Sequence, residues 1–389
     1  MLKNYAYSHV SSLFVFGLMS LSLLMASCSP ASRQAADPST EPIRGEDLPV
    51  LKEAFQTDRD LDLNVDSPAV WHGPDGDILF ATAKEGDEIL LFDAATGDVL
   101  QSLGQSGAGE LAFDRPNGIW VIDDLLLVVE RDNARVQVIH LPELTFAGFI
   151  THEDLRYPYG LSVHAAETES GWMYELYVTD NYNPALEGYP AEEQLDERVH
   201  HFRFSVGDEG DERDGVKDGL VAFESVSLFG DIAGEGMLLK VESILADPAA
   251  GRLFIADEAY ASRDVKIYSL EGEFTGETIS SRYFSSEPEG LALYDCGDGS
   301  GYLLMTDQHK SEENKYVVLD RQTLSYLGAF RGEITRNTDG IWLTQHAFGP
   351  FEMGAFYAVH DDGSVTAFDW AEIADVLGLS LDCTVHRGE

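Results

Sequence analysis

Carboxylates recur at matched places along this chain, and several brought to one spot do one thing well: they hold hard cations. Glu242, Glu258, Glu287, Glu289, Asp339 and Asp361 fall in the second half of the sequence. Lys84, Arg131 and Tyr159 take corresponding places in the first half, with Asp66 and Asn117 beside them. Acids within one Debye length raise each other's pKa and repel unless cations sit between them, and an all-oxygen set favours calcium over zinc or copper. Lys and Arg grip phosphate oxygens, and metal ions bridge phosphate to carboxylate. A cationic patch beside a calcium cluster is therefore expected to bind a phosphorylated small molecule and cleave its ester with metal-activated water, without a covalent nucleophile. Any one of these acids alone would ordinarily cap a loop. It is their repetition at equivalent slots that argues for convergence.

The elements that must position them are also repeated. Six turn-plus-apolar phrases start at Ser67-Pro68, Pro116-Asn117-Gly118, Pro158-Tyr159-Gly160, Val241-Glu242-Ser243, Pro288-Glu289-Gly290 and Thr338-Asp339-Gly340. Behind each comes a second apolar run ending in polar residues: Ile78 to Lys84, Leu125 to Arg131, Glu175 to Asn181, Leu253 to Glu258, Tyr302 to Gln308 and Ala355 to Asp361. Third runs follow at Ile89, Val136, Val199, Val265, Tyr316 and Val365, with the alternation of half-buried strands. Most intervals are roughly 40 to 50 residues, the period of a propeller blade. The third is longer, which places an insertion over residues 184–219. Units of three or four short strands cannot bury both faces alone, so the expected fold is all-β, a six-bladed β-propeller. In such a ring, starts of inner strands and ends of second strands meet at the central channel.

Composition sets the other bounds. The chain has 389 residues, with 25 Lys plus Arg against 69 Asp plus Glu, a formal net charge of -44. That surface repels nucleic acid and anionic lipid, so no nucleic-acid partner is expected. Residues 1–27 read as a lipoprotein signal peptide, ending in Met25-Ala26-Ser27-Cys28, which resembles a lipobox. Residues 28–48 read as a disordered tether and 49–389 as the propeller domain. The membrane is then met only through lipid on Cys28, and the expected product is a monomeric outer-membrane or cell-surface lipoprotein, periplasmic or extracellular. With Cys28 lipidated, Cys296 and Cys383 remain as a possible bridge or as two separate thiols. There is no Walker or dinucleotide loop, no GxSxG elbow and no HExxH. His200-His201 reads as a surface or edge pair. The stretch Asp208 to Asp218 lacks the pattern of an EF-hand and reads as a solvated hairpin tip.

Glu289-Gly290-Leu291 through Asp320-Arg321-Gln322, Asn337-Thr338-Asp339-Gly340-Ile341 and the spacing of Glu242 to Glu258 resemble the β-propeller phytases, calcium-dependent phosphatases of inositol hexakisphosphate. The resemblance runs from about Asp66 to Leu377. It implies phosphate binding by Lys84, Arg131 and Tyr159, and catalysis at a calcium-lined site by Glu242, Glu289 and Asp339. It implies Ca2+ ligands among Asp66, Asn117, Glu242, Glu258, Glu287, Glu289, Asp339 and Asp361. Several positions depart from the family: Asn181 replaces a phosphate-binding lysine, Asn337 an acid, and Trp120 an aspartate. Each departure removes charge from the cleft. Two other readings of the residues stay open: a non-catalytic propeller that binds a partner on its channel face, and a calcium-dependent lactonase-like hydrolase.

Overall fold

Each repeat folds as an antiparallel meander, and the meanders are the blades of a six-bladed propeller. This computed structural model describes residues 47–168, 171–181, 190, 192–207, 220–310 and 314–381. The signal peptide, Cys28, most of the tether, the 208–218 stretch and Cys383 lie outside the described residues. Cys296 is disulfide-bonded.

Blade one comprises Val65–Gly73, Gly76–Ala83, Glu88–Asp93 and Val99–Leu103, and blade two Pro116–Ile122, Leu125–Glu130, Arg135–His140 and Thr145–Ile150. Blade three comprises Pro158–Thr168, Gly171–Asp180, Val199–Val206 and Val221–Phe229, and blade four Val241–Asp247, Arg252–Asp257, Asp264–Ser269 and Phe274–Ile279. Blade five is built from Glu287–Asp295, Gly301–Gln308, Lys315–Asp320 and Tyr326–Gly332. In blade six the strands Ile341–Thr344, Ala355–His360 and Ser364–Asp369 are completed by Phe55–Gln56 from the start of the domain, Phe55 opposite Ala367. Val50–Leu51 adds a parallel strand to the edge of blade five. Both edges near the ring closure are thus paired by the same short N-terminal segment, which removes them as aggregation templates.

The period-two alternation of the strands explains the core. In blade two, Leu126 and Val128 face blade one, whereas Leu125, Leu127 and Val129 face blade three. Among the described residues the buried apolar side chains form six clusters, each between two neighbouring blades. A blade alone would expose both faces, so the ring folds as one body. A helix, Trp370–Leu377, capped by Asp369 and ended by Gly378 at φ 65°, buries Trp370 against Tyr294 of blade five.

One sequence expectation is corrected here. Residues 184–219 are not a single insertion, because they contain the third strand of blade three, Val199–Val206, paired on both sides. The extra length is split between the connections before and after that strand.

Candidate functional site

Five inner strands open with the same irregularity. Register shifts fall between Val65 and Pro68, Pro116 and Ile119, Pro158 and Leu161, Val241 and Ile244, and Pro288 and Leu291. In each, two residues oppose one on the second strand: Asp66 and Ser67, Asn117 and Gly118, Tyr159 and Gly160, Glu242 and Ser243, Glu289 and Gly290. Asp339 and Gly340 stand at the same place before the inner strand of blade six, where the Val359 amide donates to the Gly340 carbonyl at 3.1 Å. A bulge bends the strand and re-aims the side chain of its extra residue. Repeated around the ring, it turns six polar residues toward one mouth.

The second bulge position lets neighbouring blades touch. A Cβ on Gly118 would lie 2.6 Å from the Tyr159 carbonyl oxygen, on Gly160 2.0 Å from that of Glu242, on Gly290 2.9 Å from that of Asp339, and on Gly340 2.8 Å from that of Asp66. Hydrogen bonds run the same way around the ring. Thr82 Oγ1 donates to the Asn117 carbonyl at 2.6 Å, Thr179 Oγ1 to that of Glu242 at 2.9 Å, the Gly290 amide to that of Asp339 at 3.0 Å and the Gly340 amide to that of Asp66 at 2.9 Å. Asn117, Glu242, Asp339 and Asp66 are therefore each fixed by the preceding blade.

Second-strand ends sort themselves by strand alternation. Asp257 accepts the amides of Leu239, Lys240 and Ala259, Asp307 those of Ser285 and Ser286, and Asp180 those of Arg156 and Tyr157. These acids fasten the loops that enter the inner strands. The following residues, Asn181, Glu258 and Gln308, face the mouth, where Asn181 donates to Glu242 at 2.8 Å and Gln308 to Asp339.

What results is a triad: ligand oxygens of Glu242, Glu258 and Glu289 all lie within 4.8 Å of one another. Burial, with mutual repulsion second, holds the carboxyls of Glu258 and Glu289 well above the usual carboxylate range. Asp339 adjoins the triad; burial pushes its carboxyl up to about 7 against the opposing pull of Lys84. Lys84 Nζ lies 2.6 Å from Asp66, 3.3 Å from Asp339 and 3.4 Å from the Tyr159 hydroxyl. Burial works against its charge, but Asp66, Tyr159 and Asp339 outweigh it and keep the ammonium protonated. Burial and Asp66 likewise keep the Tyr159 hydroxyl protonated.

A divalent cation fits this set. Glu258 Oε1 is buried without a hydrogen-bond partner, as are Gln308 Oε1 and Asn337 Oδ1. Such orphaned acceptors are uncommon, and a cation would satisfy the first of them. Three carboxylate ligands leave room for water or substrate oxygens, because calcium takes six to eight.

The remaining predicted residues fall outside that three-carboxylate set. Arg131 forms a two-pronged pair with its neighbour Asp132, at 2.7 and 3.1 Å, so its guanidinium is engaged by that acid. Asp361 is taken by Arg59 and by Arg336 at 3.2 Å, not by an acidic cluster. Glu287 stands at the rim, 3.2 Å from Lys310. Asn117 is fully buried with neither side-chain polar atom partnered. The expected split into a cationic and an acidic half is corrected as well, since Lys240 lies inside the acidic half, bonded to Glu258 and 3.9 Å from Glu242.

Lys240 and Asp362 are the residues the repeat did not reveal. Asp362 accepts from Asn337 at 2.9 Å and feels Lys84 and Asp66. Its signal was present as the second acid of Asp361-Asp362-Gly363. Below the polar mouth the channel becomes an apolar cavity of about 230 Å³, lined by the bulge glycines and inner-strand side chains. There Trp120 and Trp342 meet edge to face at 5.2 Å.

A family model described as Phytase matches residues 234–382. Over 167 residues, 37% of this chain, the sequence is 28% identical to a 3-phytase of Bacillus subtilis (strain 168), and the match spans 42% of that relative. Among solved structures, one titled as a streptogramin B lyase structure aligns over 81% of this chain and 96% of its own, with TM-score 0.43 and 10% identity. One titled as Kuenenia stuttgartiensis hydrazine synthase aligns over 84% and 82%, with TM-score 0.45 and 14% identity.

Proposed function

We infer that the chain is a phytase-like β-propeller whose acidic mouth is the active site of a calcium-dependent phosphomonoesterase acting on phytate or related inositol phosphates, a reading supported by the family match over residues 234–382 and by the 3-phytase relative. One observation carries the reading. Three carboxylates on three second- and inner-strand positions converge within 4.8 Å beside a buried lysine, an arrangement that serves no apparent packing purpose.

Glu242, Glu258 and Glu289 would hold the ion, with Asp339 next to it. When bound, calcium supplies positive charge to a phosphoryl oxygen and acidity to the attacking water. The chain's own groups do the rest. Lys84 presents a permanent positive charge, pinned between Asp66 and Asp339, that a phosphate oxygen can share. Tyr159, kept protonated beside it, can donate a hydrogen bond to the same group. Asn181 and Gln308 orient Glu242 and Asp339, so these carboxylates need not reorganise when charge arrives. An acid of raised pKa such as Asp339 is suited to exchange a proton with water or leaving group near neutral pH.

The test is phosphate release by the purified chain from phytate, with calcium and with chelator. Activity that requires calcium and disappears in Glu242→Gln supports the reading; a calcium-saturated chain inert on inositol phosphates refutes it and leaves the binding-module alternative. Export as a lipoprotein on Cys28, acting as a monomer, belongs to the same proposal and is tested by metabolic lipid labelling of wild type against Cys28→Ala.

A further inference from the structure

The Glu242, Glu258 and Glu289 triad is already met by a cation belonging to the chain. Lys240 sits two residues before Glu242, and its backbone is held because its amide donates to Asp257 at 3.0 Å. From there its ammonium reaches Glu258 Oε2 and lies 3.9 Å from Glu242. The other oxygen of Glu258 is the orphaned one. The lysine side chain is 24% exposed while that of Glu258 is wholly covered, so the ammonium approaches from the water side of the mouth.

We propose that Lys240 is a tethered competitor of the divalent ion, a built-in positive charge that weakens calcium binding at the triad and keeps the ion exchangeable. This rests on the calcium reading above. Three ionised carboxylates carry a charge of minus three, which Lys240 reduces by one; Glu287 and Lys310 nearby are paired with each other at 3.2 Å. Asp66 and Asp339 cannot make up the difference freely because Lys84 holds both. An ion seated on Glu258 Oε1 would stand a few ångströms from the ammonium on Oε2, at a depth where solvent screens poorly. Either the lysine withdraws toward water or the two cations repel. Both outcomes lower the affinity, and both place Lys240 where an incoming phosphate would meet it.

A merely structural lysine predicts the opposite. If Lys240 served to orient Glu258, removing it would let the carboxylate drift and calcium would bind less well.

Calorimetric titration of the purified chain with Ca2+ alone, near neutral pH and at fixed ionic strength, separates these. Lys240→Met, which keeps the stem and removes the charge, is expected to bind calcium at least tenfold more tightly than wild type. Lys240→Arg, whose planar fork can span Glu258 and Glu242, is expected to bind it at least threefold more weakly, and this variant decides the matter should the methionine form not fold without the ion. Equal or weaker binding by Lys240→Met, or unchanged binding by Lys240→Arg, overturns the proposal. If none of the three proteins binds calcium, the proposal and the calcium reading fall together. If wild type binds calcium but releases no phosphate from phytate, the substrate reading fails, and the Lys240 comparison still stands or falls on affinity.

Discussion

Asp339 should make the metal-free protein less stable as pH rises. Its carboxyl has a usual pKa near 4 in the unfolded chain and one pushed up to about 7 in the fold, by burial first and then by Asp66, Asp362 and Glu242. Between those values the folded state binds the extra proton, so the Asp339 contribution to stability is full below pH 4, falls through the window and levels off above pH 7. Three units at about 1.4 kcal/mol each come to about 4 kcal/mol lost over the window. For a domain of this size that is roughly 5 °C in Tm. Calcium should reverse the loss, adding about 2.7 kcal/mol at a hundredfold excess over Kd, and adding most where the acids are ionised. The assay is thermal unfolding in chelator and in calcium at pH 5 and pH 8, for wild type and for Asp339→Asn. The asparagine has no proton to lose, so the wild-type slope should exceed its slope by up to about 1.4 kcal/mol per pH unit. Equal slopes in the two proteins, or a wild type that gains stability in chelator as pH rises, would refute the reasoning.

Further outcomes follow from the same geometry. Lys84→Ala should raise KM for a phosphorylated substrate, and should also destabilise the chain by about 3–5 kcal/mol, because Asp66 and Asp339 are left buried without their cation, as chemical unfolding would register. Arg131→Ala should change kcat/KM less than threefold, since that guanidinium is spent on Asp132; a loss as large as that of Lys84→Ala would return Arg131 to the site. Gly160→Ala places a methyl 2.0 Å from the Glu242 carbonyl and should cost about 1–3 kcal/mol in denaturant unfolding while lowering calcium affinity, the bulge of blade four being displaced. Asp307, whose carboxyl is brought down to about 2 as hydrogen bonds and Lys315 overcome its burial, contributes stability above pH 4 that is lost as pH falls toward 2. Acid unfolding of Asp307→Asn should therefore be shallower over that range.

Strand placement was legible because the repeat spoke six times, so that errors in any one unit were corrected by the others. The slots of Asp66, Tyr159, Glu242, Glu289 and Asp339 were legible for the same reason: equivalent positions in a ring must meet. In blade three the third strand was legible at Val199, but the bounds of the added length were drawn across it, because periodicity does not say how extra residues divide between two connections. Arg131 and Asp361 illustrate a different limit. Each ends a second strand at a slot that elsewhere faces the mouth, but each finds opposite charge beside it, in Asp132 or in Arg59 and Arg336, and a long or turn-borne side chain follows the nearer charge. In the 361–363 turn both acids have positive φ, and it is Asp362 that is aimed at Lys84 and Asn337. Nothing in residue type distinguishes the two.

The bulge ties fold and chemistry together more closely than the identity of any one acid does. A straight strand would send alternate residues into the blade interfaces, where an unpaired Glu or Asp would have to be neutral or excluded. One extra residue per inner strand instead rotates the polar side chain toward the axis, and the small residue after it lets the next blade's carbonyl approach closely enough to be hydrogen-bonded. Glu242 is held against its acidic neighbours by the Thr179 hydroxyl on its carbonyl, and Glu289 by the Gly290 amide bonded to the Asp339 carbonyl, so the frame and not the acids themselves resists their repulsion. The polar character of the mouth is therefore set jointly by the side chains at the five bulges, by Asp339 at the matching place in blade six, and by the residues that follow the second strands.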